Sequence, residues 1–534
     1  MSVGEGMLWS GWGDPARRAP LPAAVRQLLA AALGLPAEDT LPVDLADVRV
    51  RPSALAEGTL AALAATVGAG AVHTDRASRI RHAAGRSTVD LLRLRRGDAE
   101  AAPDAVVVPA DHEATVALLA VCAAHDVAVV PFGGGTSVVG GVAPGRGGHH
   151  AVVAVDTRAM VGLHALDTVD RLAVFGAGAT GPQAEALLRP QGLQLGHLPQ
   201  SFEHATLGGY AATRYAGQAS SGHGRFAEMV EALTVATPEG TLRLGRGPAS
   251  AAGPDLRQLL LGSEGRLGVI TDLTLRVRPL PSTVVEEGWR FPDLAGGVAA
   301  MRALAQGDGT LPTVLRLSDE AETAVGLATS PGEGGGEPGC LAVAAWEGDE
   351  DGVARRRAAA LPLLRGAGGE CLGPVPAQAW RAGRFHAPHL RDGILDAGAL
   401  VDTLETATRW SGLLDLHTRL RIAIEGALAE QGTPGIVLAH VSHVYPSGAS
   451  LYVTVVARQA EDPVAQWEAV AAAAADARTA AGATITHHHA VGLAHRPWME
   501  AEVGPLGVRL LRAAAATLDP AGILNPGKLI PPEG

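Results

Sequence analysis

The chain has 534 residues, 47% of them hydrophobic, and a net charge of −12 with its basic residues scattered. This allows two or three domains with substantial cores and argues against a nucleic-acid partner. Gly and Pro together make about a fifth of the chain, below the level that signals disorder. Cys122, Cys340 and Cys371 are an odd number of isolated thiols with no C-x-x-C spacing, which excludes a disulfide framework and indicates a reducing compartment. Met1 to Asp14 lack the basic and apolar regions of a signal peptide, no apolar run is long enough for a transmembrane helix, and Ile530 to Gly534 carry no lipidation or peroxisomal signal. The expected location is the cytoplasm, a reading compatible with peripheral contact at a membrane surface.

Residues 1–100 read as a helical, arginine-bearing N-terminal region, with helical spacing from Leu21 to Leu33. The run from Asp90 to Asp98, which includes LRLRRGD, reads as a solvated face. From residue 101 the pattern becomes α+β. A strand at Ala105–Pro109 precedes a helix over about Glu113–His125 with Asp111 as its cap, and a buried strand follows at Val127–Pro131. Further strands are expected at Val152–Asp156, Leu172–Phe175, Ala232–Thr237 and Val269–Arg278, with a helix from Gln183. Pro279-Leu280-Pro281-Ser282 marks a boundary near 281. Residues 282–495 form a second domain of alternating strands and helices, in which Gly332 to Gly339 reads as a surface loop. A closing segment spans 496–534.

The β-α-β unit delivers Pro131-Phe132-Gly133-Gly134-Gly135-Thr136-Ser137, followed by Val138-Val139-Gly140-Gly141. Three consecutive glycines let the backbone curl its N–H groups toward one point, an anion nest suited to a pyrophosphate, to which Thr136 and Ser137 add hydroxyls. A tight surface turn is the plainer alternative. No Gly-Lys-Ser/Thr follows, which excludes a Walker A loop. Gly176-Ala177-Gly178-Ala179-Thr180-Gly181 fits G-x-G-x-x-G, with Glu203 at a plausible distance for a ribose-binding acid. The intervening segment is broken by Gly196 and Pro199, so a Rossmann site is the lesser reading.

Three later segments follow in order: Gln200-Ser201-Phe202-Glu203-His204-Ala205-Thr206, then Ala212-Thr213-Arg214-Tyr215, then Glu264-Gly265-Arg266-Leu267-Gly268-Val269-Ile270. With the glycine loop they resemble the FAD-binding domain of the vanillyl-alcohol oxidase family. The resemblance implies that the glycine loop holds the FAD pyrophosphate and that the later segments surround the flavin. It makes 101–281 the FAD-binding domain, 282–495 a substrate or cap domain, and 496–534 a segment returning to the FAD domain. No His stands in the glycine loop where covalent attachment is usual, so non-covalent FAD is expected.

The resemblance narrows on Trp9-Ser10-Gly11-Trp12-Gly13-Asp14, LRLRRGD, Leu315-Arg316-Leu317-Ser318-Asp319, Pro388-His389-Leu390-Arg391-Asp392, Leu404-Glu405-Thr406 and Thr486-His487-His488-His489-Ala490-Val491-Gly492. These are similar to the alkyl-dihydroxyacetonephosphate synthase family over nearly the whole chain. On a strand, His487 and His489 would share one face and His488 the other. A zinc site lacks nearby Cys or H-E-x-x-H partners, and satisfied surface histidines are the structural alternative. Phosphate or acid–base duty fits three adjacent imidazoles better. By resemblance Tyr452, on the strand-like Ser450–Val456, is the catalytic base, and Arg316 and Arg391 contact substrate; each Arg alone would also fit a surface ion pair. His389, Ala490, Leu493, Gln200 and His204 depart from the family pattern, which leaves chain preference open.

The implied activity replaces the acyl group of acyl-dihydroxyacetone phosphate by a long-chain alcohol, in ether-lipid synthesis, by a redox-neutral flavin-adduct mechanism. The substrates are the expected partners, without a metal; a homodimer is compatible with the resemblance. The alternative on the same fold is an FAD-dependent 2-hydroxy-acid dehydrogenase or oxidase.

Overall fold

The computed structural model describes residues 7–36, 38–329 and 338–533. Most of the loop expected at Gly332–Gly339 lies outside the described residues.

Two sheets build the region that carries the glycine loop. The first has four strands in the order Val72–His73, Ala105–Val107, Ala151–Asp156, Val127–Phe132, the last three mutually parallel. Between the second and fourth of these lies the helix His112–Ala124, capped by the Asp111 side chain on the Ala114 N–H at 2.8 Å. Its apolar face and the fully buried strands make a continuous core, as expected of parallel strands covered on both faces. The second sheet is antiparallel, in the order Leu163–Asp167, Leu172–Gly176, Val269–Arg276, Val230–Thr237, Gly240–Leu244. The GAGATG segment leaves this antiparallel sheet, and a Cβ on Gly178 would sit 2.0 Å from the Thr157 carbonyl oxygen. Its glycines serve close backbone packing, and no Rossmann unit forms.

The N-terminal hundred residues are divided between neighbours. Val72–His73 joins the first sheet, while Leu21, Leu29 and Leu33 pack on Ile394, Ala397 and Val401 of the second domain. The run read as a solvated face is instead the buried helix Thr88–Arg95, in which Leu91, Leu92, Leu94 and Arg95 are all enclosed. Its Thr88 N–H and hydroxyl bond to Asp402 and Val401, and Arg95 pairs with Asp396. Those partners lie some 300 positions away, which no local pattern reveals.

The second domain is one antiparallel sheet of seven strands, in the order Glu370–Gly373, Thr283–Phe291, Cys340–Gly348, Val314–Ser318, Gly435–Tyr445, Gly448–Arg458, Ala399–Arg409. The helices Leu294–Gln306, Glu350–Gly366, Leu413–Glu430 and Pro463–Ala480 contribute to the core against this sheet. Alternation along the adjacent strands Gly435–Tyr445 and Gly448–Arg458 assigns their faces. Val437, Ala439, Val441, Leu451, Val453 and Val455 enter that core, whereas Ile436, Leu438, His440, Tyr452, Thr454 and Val456 line a cavity on the other face. The chain then returns to the glycine-loop region. Met499, Val508 and Ala515 of the closing helix Met499–Leu518 pack with the second sheet, and Leu524 bridges to Val129. Among the described residues no helix is long and apolar enough to cross a membrane.

Candidate active site

A cavity of about 470 Å³ lies between the glycine loop and the seven-stranded sheet. Gly133, Gly134, Gly135, Thr136 and Ser137 all line it. Gly135 has φ +68, a conformation that suits glycine. A Cβ on Gly134 would meet the His204 carbonyl oxygen at 2.1 Å, and one on Gly133 would meet Thr206 Oγ1 at 2.4 Å. The bare glycines therefore let the first loop lie directly on the 200–206 segment. Ser137 Oγ accepts the Gly141 N–H at 2.9 Å, closing the turn on itself. We expect Gly134→Val to abolish FAD binding, measured by flavin absorbance after desalting, because the added side chain forces the two loops apart.

Of the other residues assigned to the cofactor, Gln200, Ser201, Ala205, Thr206, Thr213 and Tyr215 line the cavity. The remainder stand behind its wall. Pro131 and Phe132 end the strand, with Phe132 against His82. Phe202 stacks on Phe385, Glu203 pairs with Arg17 at 3.0 Å, and His204 meets Trp12 edge-on. The carbonyl of Ala212 accepts the Glu264 N–H, and Arg214 turns to the Leu261 and Gln258 carbonyls. Gly265 presses on Pro131, Arg266 reaches Asp519 and the Leu524 carbonyl, and Leu267, Val269 and Ile270 are buried. Gly268 has φ +137 and abuts Val235. Along the cavity wall, Gln200 Nε2, Gln218 Oε1 and Arg391 Nη2 are buried without partners. A wall of bare glycine backbone with unsatisfied donors and acceptors fits a large polar cofactor.

The three consecutive histidines do not form a strand. Residues 486–492 are irregular because their backbone N–H groups go to two buried carboxylates instead of a sheet. Glu405, from the strand Ala399–Arg409, accepts from the N–H groups of His487 at 2.6 Å, His488 at 3.2 Å and His489 at 2.8 Å, and from the Thr486 hydroxyl. Burial opposes its charge, but the donors of the histidine segment converging on it outweigh burial and hold it well below the usual carboxylate range. Glu264, at φ +52, accepts from the Val491 and Gly492 N–H groups at 2.8 and 2.7 Å. The histidine segment is thus held from one domain by Glu405 and from the other by Glu264. Between them Ala490 adopts φ +73, where glycine would carry no strain.

His488 and His489 line the cavity, and His487 lies behind them. A β-bulge after Ser442 gives His443 φ +50 and brings its side chain to the cavity wall. His443 carried no signal in the sequence beyond being a lone histidine in a strand. Its Nδ1 meets Ser220 Oγ at 2.6 Å. His443, His487 and His488 each place a ring nitrogen within 4.8 Å of the others. Burial drives the pKa of all three well below the usual histidine range.

Tyr452 lines the cavity with its ring stacked on His440 at 4.8 Å and on His488 at 5.9 Å. Burial raises its pKa, so the phenol is neutral at pH 7. Tyr445 lies off this cavity, bonded to His487. Arg316 lines the cavity but is already paired, to Glu322 at 2.9 Å and to His440 Nε2 at 3.1 Å. An Arg only donates, so His440 Nε2 accepts and Nδ1–H donates to Glu322 at 3.2 Å. Arg391 differs. It sits on the helix Ala387–Asp396; Nη1 donates to the Arg86 carbonyl, while Nε and Nη2 have no hydrogen-bond partner. The guanidinium of Arg86 is close by; burial, then Arg391, lower its pKa to about 10. Both guanidiniums keep spare donors, Nε of Arg86 and Nε and Nη2 of Arg391, with the Asp392 carboxylate 3.9 Å from Arg391; of the two, Arg391 lines the cavity.

These sheets, loops and cavity define a flavoenzyme of the FAD-linked oxidase type. Residues 103–245 match the FAD binding domain model and residues 280–529 match the model for FAD linked oxidases, C-terminal domain. The chain is 30% identical to an alkyldihydroxyacetonephosphate synthase of Dictyostelium discoideum, over 98% of this chain and 93% of the relative, and 31% identical to that of Trypanosoma brucei brucei over 86% and 78%. It superposes on a solved alkyldihydroxyacetonephosphate synthase with TM-score 0.86 and 28% identity, covering 99% of this chain and all of that one. A p-cresol methylhydroxylase structure matches at TM-score 0.69 and 17% identity over 89% of this chain and 98% of that chain, which shows the fold alone. The chain belongs to the alkyldihydroxyacetonephosphate synthase family and is an FAD-dependent enzyme.

Proposed function

We propose that this enzyme exchanges the acyl group of acyl-dihydroxyacetone phosphate for a long-chain alcohol, giving the ether-linked product without net oxidation. The observation that carries this reading is a single cavity holding three features together. One wall has the glycine loop and Arg391, whose Nη2 has no partner, another has Tyr452 among histidines, and Val25, Leu28, Leu29, Ile394, Ile436 and Val456 give it an apolar lining. Phosphate, reacting carbon and aliphatic chain each have a matching surface.

The glycine loop and the 200–215 segments would hold FAD without a covalent bond, and the bound flavin would supply an electrophilic ring system to the substrate carbon. Arg391 orients the phosphate by its free N–H groups, whereas Arg316, committed to Glu322, fixes His440 beneath the Tyr452 ring. Tyr452 exchanges the substrate proton at its hydroxyl, with His488 and His489 beside it. Glu405 and Glu264 hold the histidine segment in register with that hydroxyl. The apolar lining excludes water from the reacting carbon.

Anaerobic spectra separate this from a 2-hydroxy-acid dehydrogenase, an activity carried in the name of a relative, a probable D-lactate dehydrogenase of Danio rerio. The flavin should stay oxidised with any 2-hydroxy acid and respond to acyl-dihydroxyacetone phosphate. Complete bleaching by a 2-hydroxy acid, with no response to the phosphate ester, would overturn the proposal.

A further inference from the structure

The histidine cluster continues beyond the cavity. His488 Nδ1 lies 3.0 Å from His487 Nδ1, so one of these nitrogens carries a hydrogen and the other accepts. At the opposite edge of its ring, His487 Nε2 is 2.7 Å from the Tyr445 hydroxyl. Tyr445 is half-buried and borders a second, more open depression with Thr408, Arg409, Ser411 and Ser447. Three side chains in hydrogen-bond contact therefore span the wall between the cavity and a more open polar surface. Both imidazoles are kept neutral by burial, and a neutral imidazole can take a proton at one nitrogen while releasing one from the other.

We propose that His488, His487 and Tyr445 form a proton path from the substrate cavity to this depression. It rests on the exchange reaction above. There the bond between the acyloxy oxygen and the substrate carbon breaks, the carboxylate leaves with the electron pair, and a carbon–oxygen bond to the alcohol forms. The alcohol's proton is then surplus, and because the released acid is ionised at neutral pH, every turnover delivers a proton to solvent. A proton arriving at His488 Nε2 displaces the Nδ1 hydrogen to His487 Nδ1. The His487 Nε2 hydrogen passes to the Tyr445 oxygen, and the phenolic hydrogen passes to water in the depression.

Tyr445→Phe removes the last link and keeps the ring. We expect kcat to fall at least about tenfold, with FAD content and both KM values unchanged, and imidazole buffer to restore the rate in proportion to its concentration. Wild-type kcat in this variant, or a loss that imidazole does not relieve, overturns the path. Should the variant fail to retain FAD, Ser447→Trp at the exposed lip of the depression decides. It should slow turnover with the hydrogen bonds intact, and a wild-type rate overturns the path. Stoichiometric metal on these histidines would overturn it too, since their nitrogens would then be ligating. A wild-type enzyme that forms no ether product would defeat the exchange reading first, and the path with it.

Discussion

Tyr452→Phe is expected to keep its FAD and its fold while losing turnover by roughly two to four orders of magnitude, the usual weight of a positioned acid–base group. The phenylalanine ring preserves stacking on His440 and His488, so the change isolates the hydroxyl. Steady-state product formation, with flavin absorbance and a thermal melt as controls, reads the effect. Full activity would move proton exchange to another group on the cavity, with His488 and His489 the remaining candidates there.

Arg391 should dominate recognition of the phosphate. Its side chain is 11% exposed, its Nε is 3.9 Å from Asp392, and Nε and Nη2 are left without a hydrogen bond. Arg391→Lys keeps the charge but loses the fork, and a large rise in KM for the phosphorylated substrate is expected with FAD content unchanged. Arg391→Ala should be worse, costing roughly 2 to 5 kcal/mol of binding, since it also drops the bond to the Arg86 carbonyl. Equal KM values in wild type and both variants would remove Arg391 from the phosphate site.

What the sequence revealed and what it hid divide along a physical line. The glycine loop was legible because a strand, three glycines and two hydroxyl residues are contiguous. Tyr452 was placed on a strand because the pattern around it alternates. The capped helix after Asp111 was legible for the same local reason. Glu405 appeared only as part of a short motif, because its partners, the N–H groups of residues 487–489, lie more than 80 positions away. The same remoteness hid the irregular course of the histidine segment, which as an isolated sequence reads as a strand. Arg316 and Arg391 looked alike in sequence. Pairing with Glu322 and His440 set them apart, and that depends on the register of neighbouring strands. The buried helix Thr88–Arg95 was misread because the acids that pair with Arg93 and Arg95, Glu468 and Asp396, lie far along the chain in the second domain.

The central claim is a redox-neutral exchange at carbon, and the fate of the alcohol oxygen tests it most directly. Purified enzyme would be given acyl-dihydroxyacetone phosphate and a long-chain alcohol labelled with heavy oxygen, without an electron acceptor, and the products weighed by mass spectrometry. The account predicts label retained in an ether-linked dihydroxyacetone phosphate, an equal amount of unlabelled free fatty acid, and a flavin that is back in its oxidised form, with no net reduction, once the substrates are consumed. Label recovered in a fatty ester of the alcohol, or product formation that stops once the flavin is reduced, would contradict it.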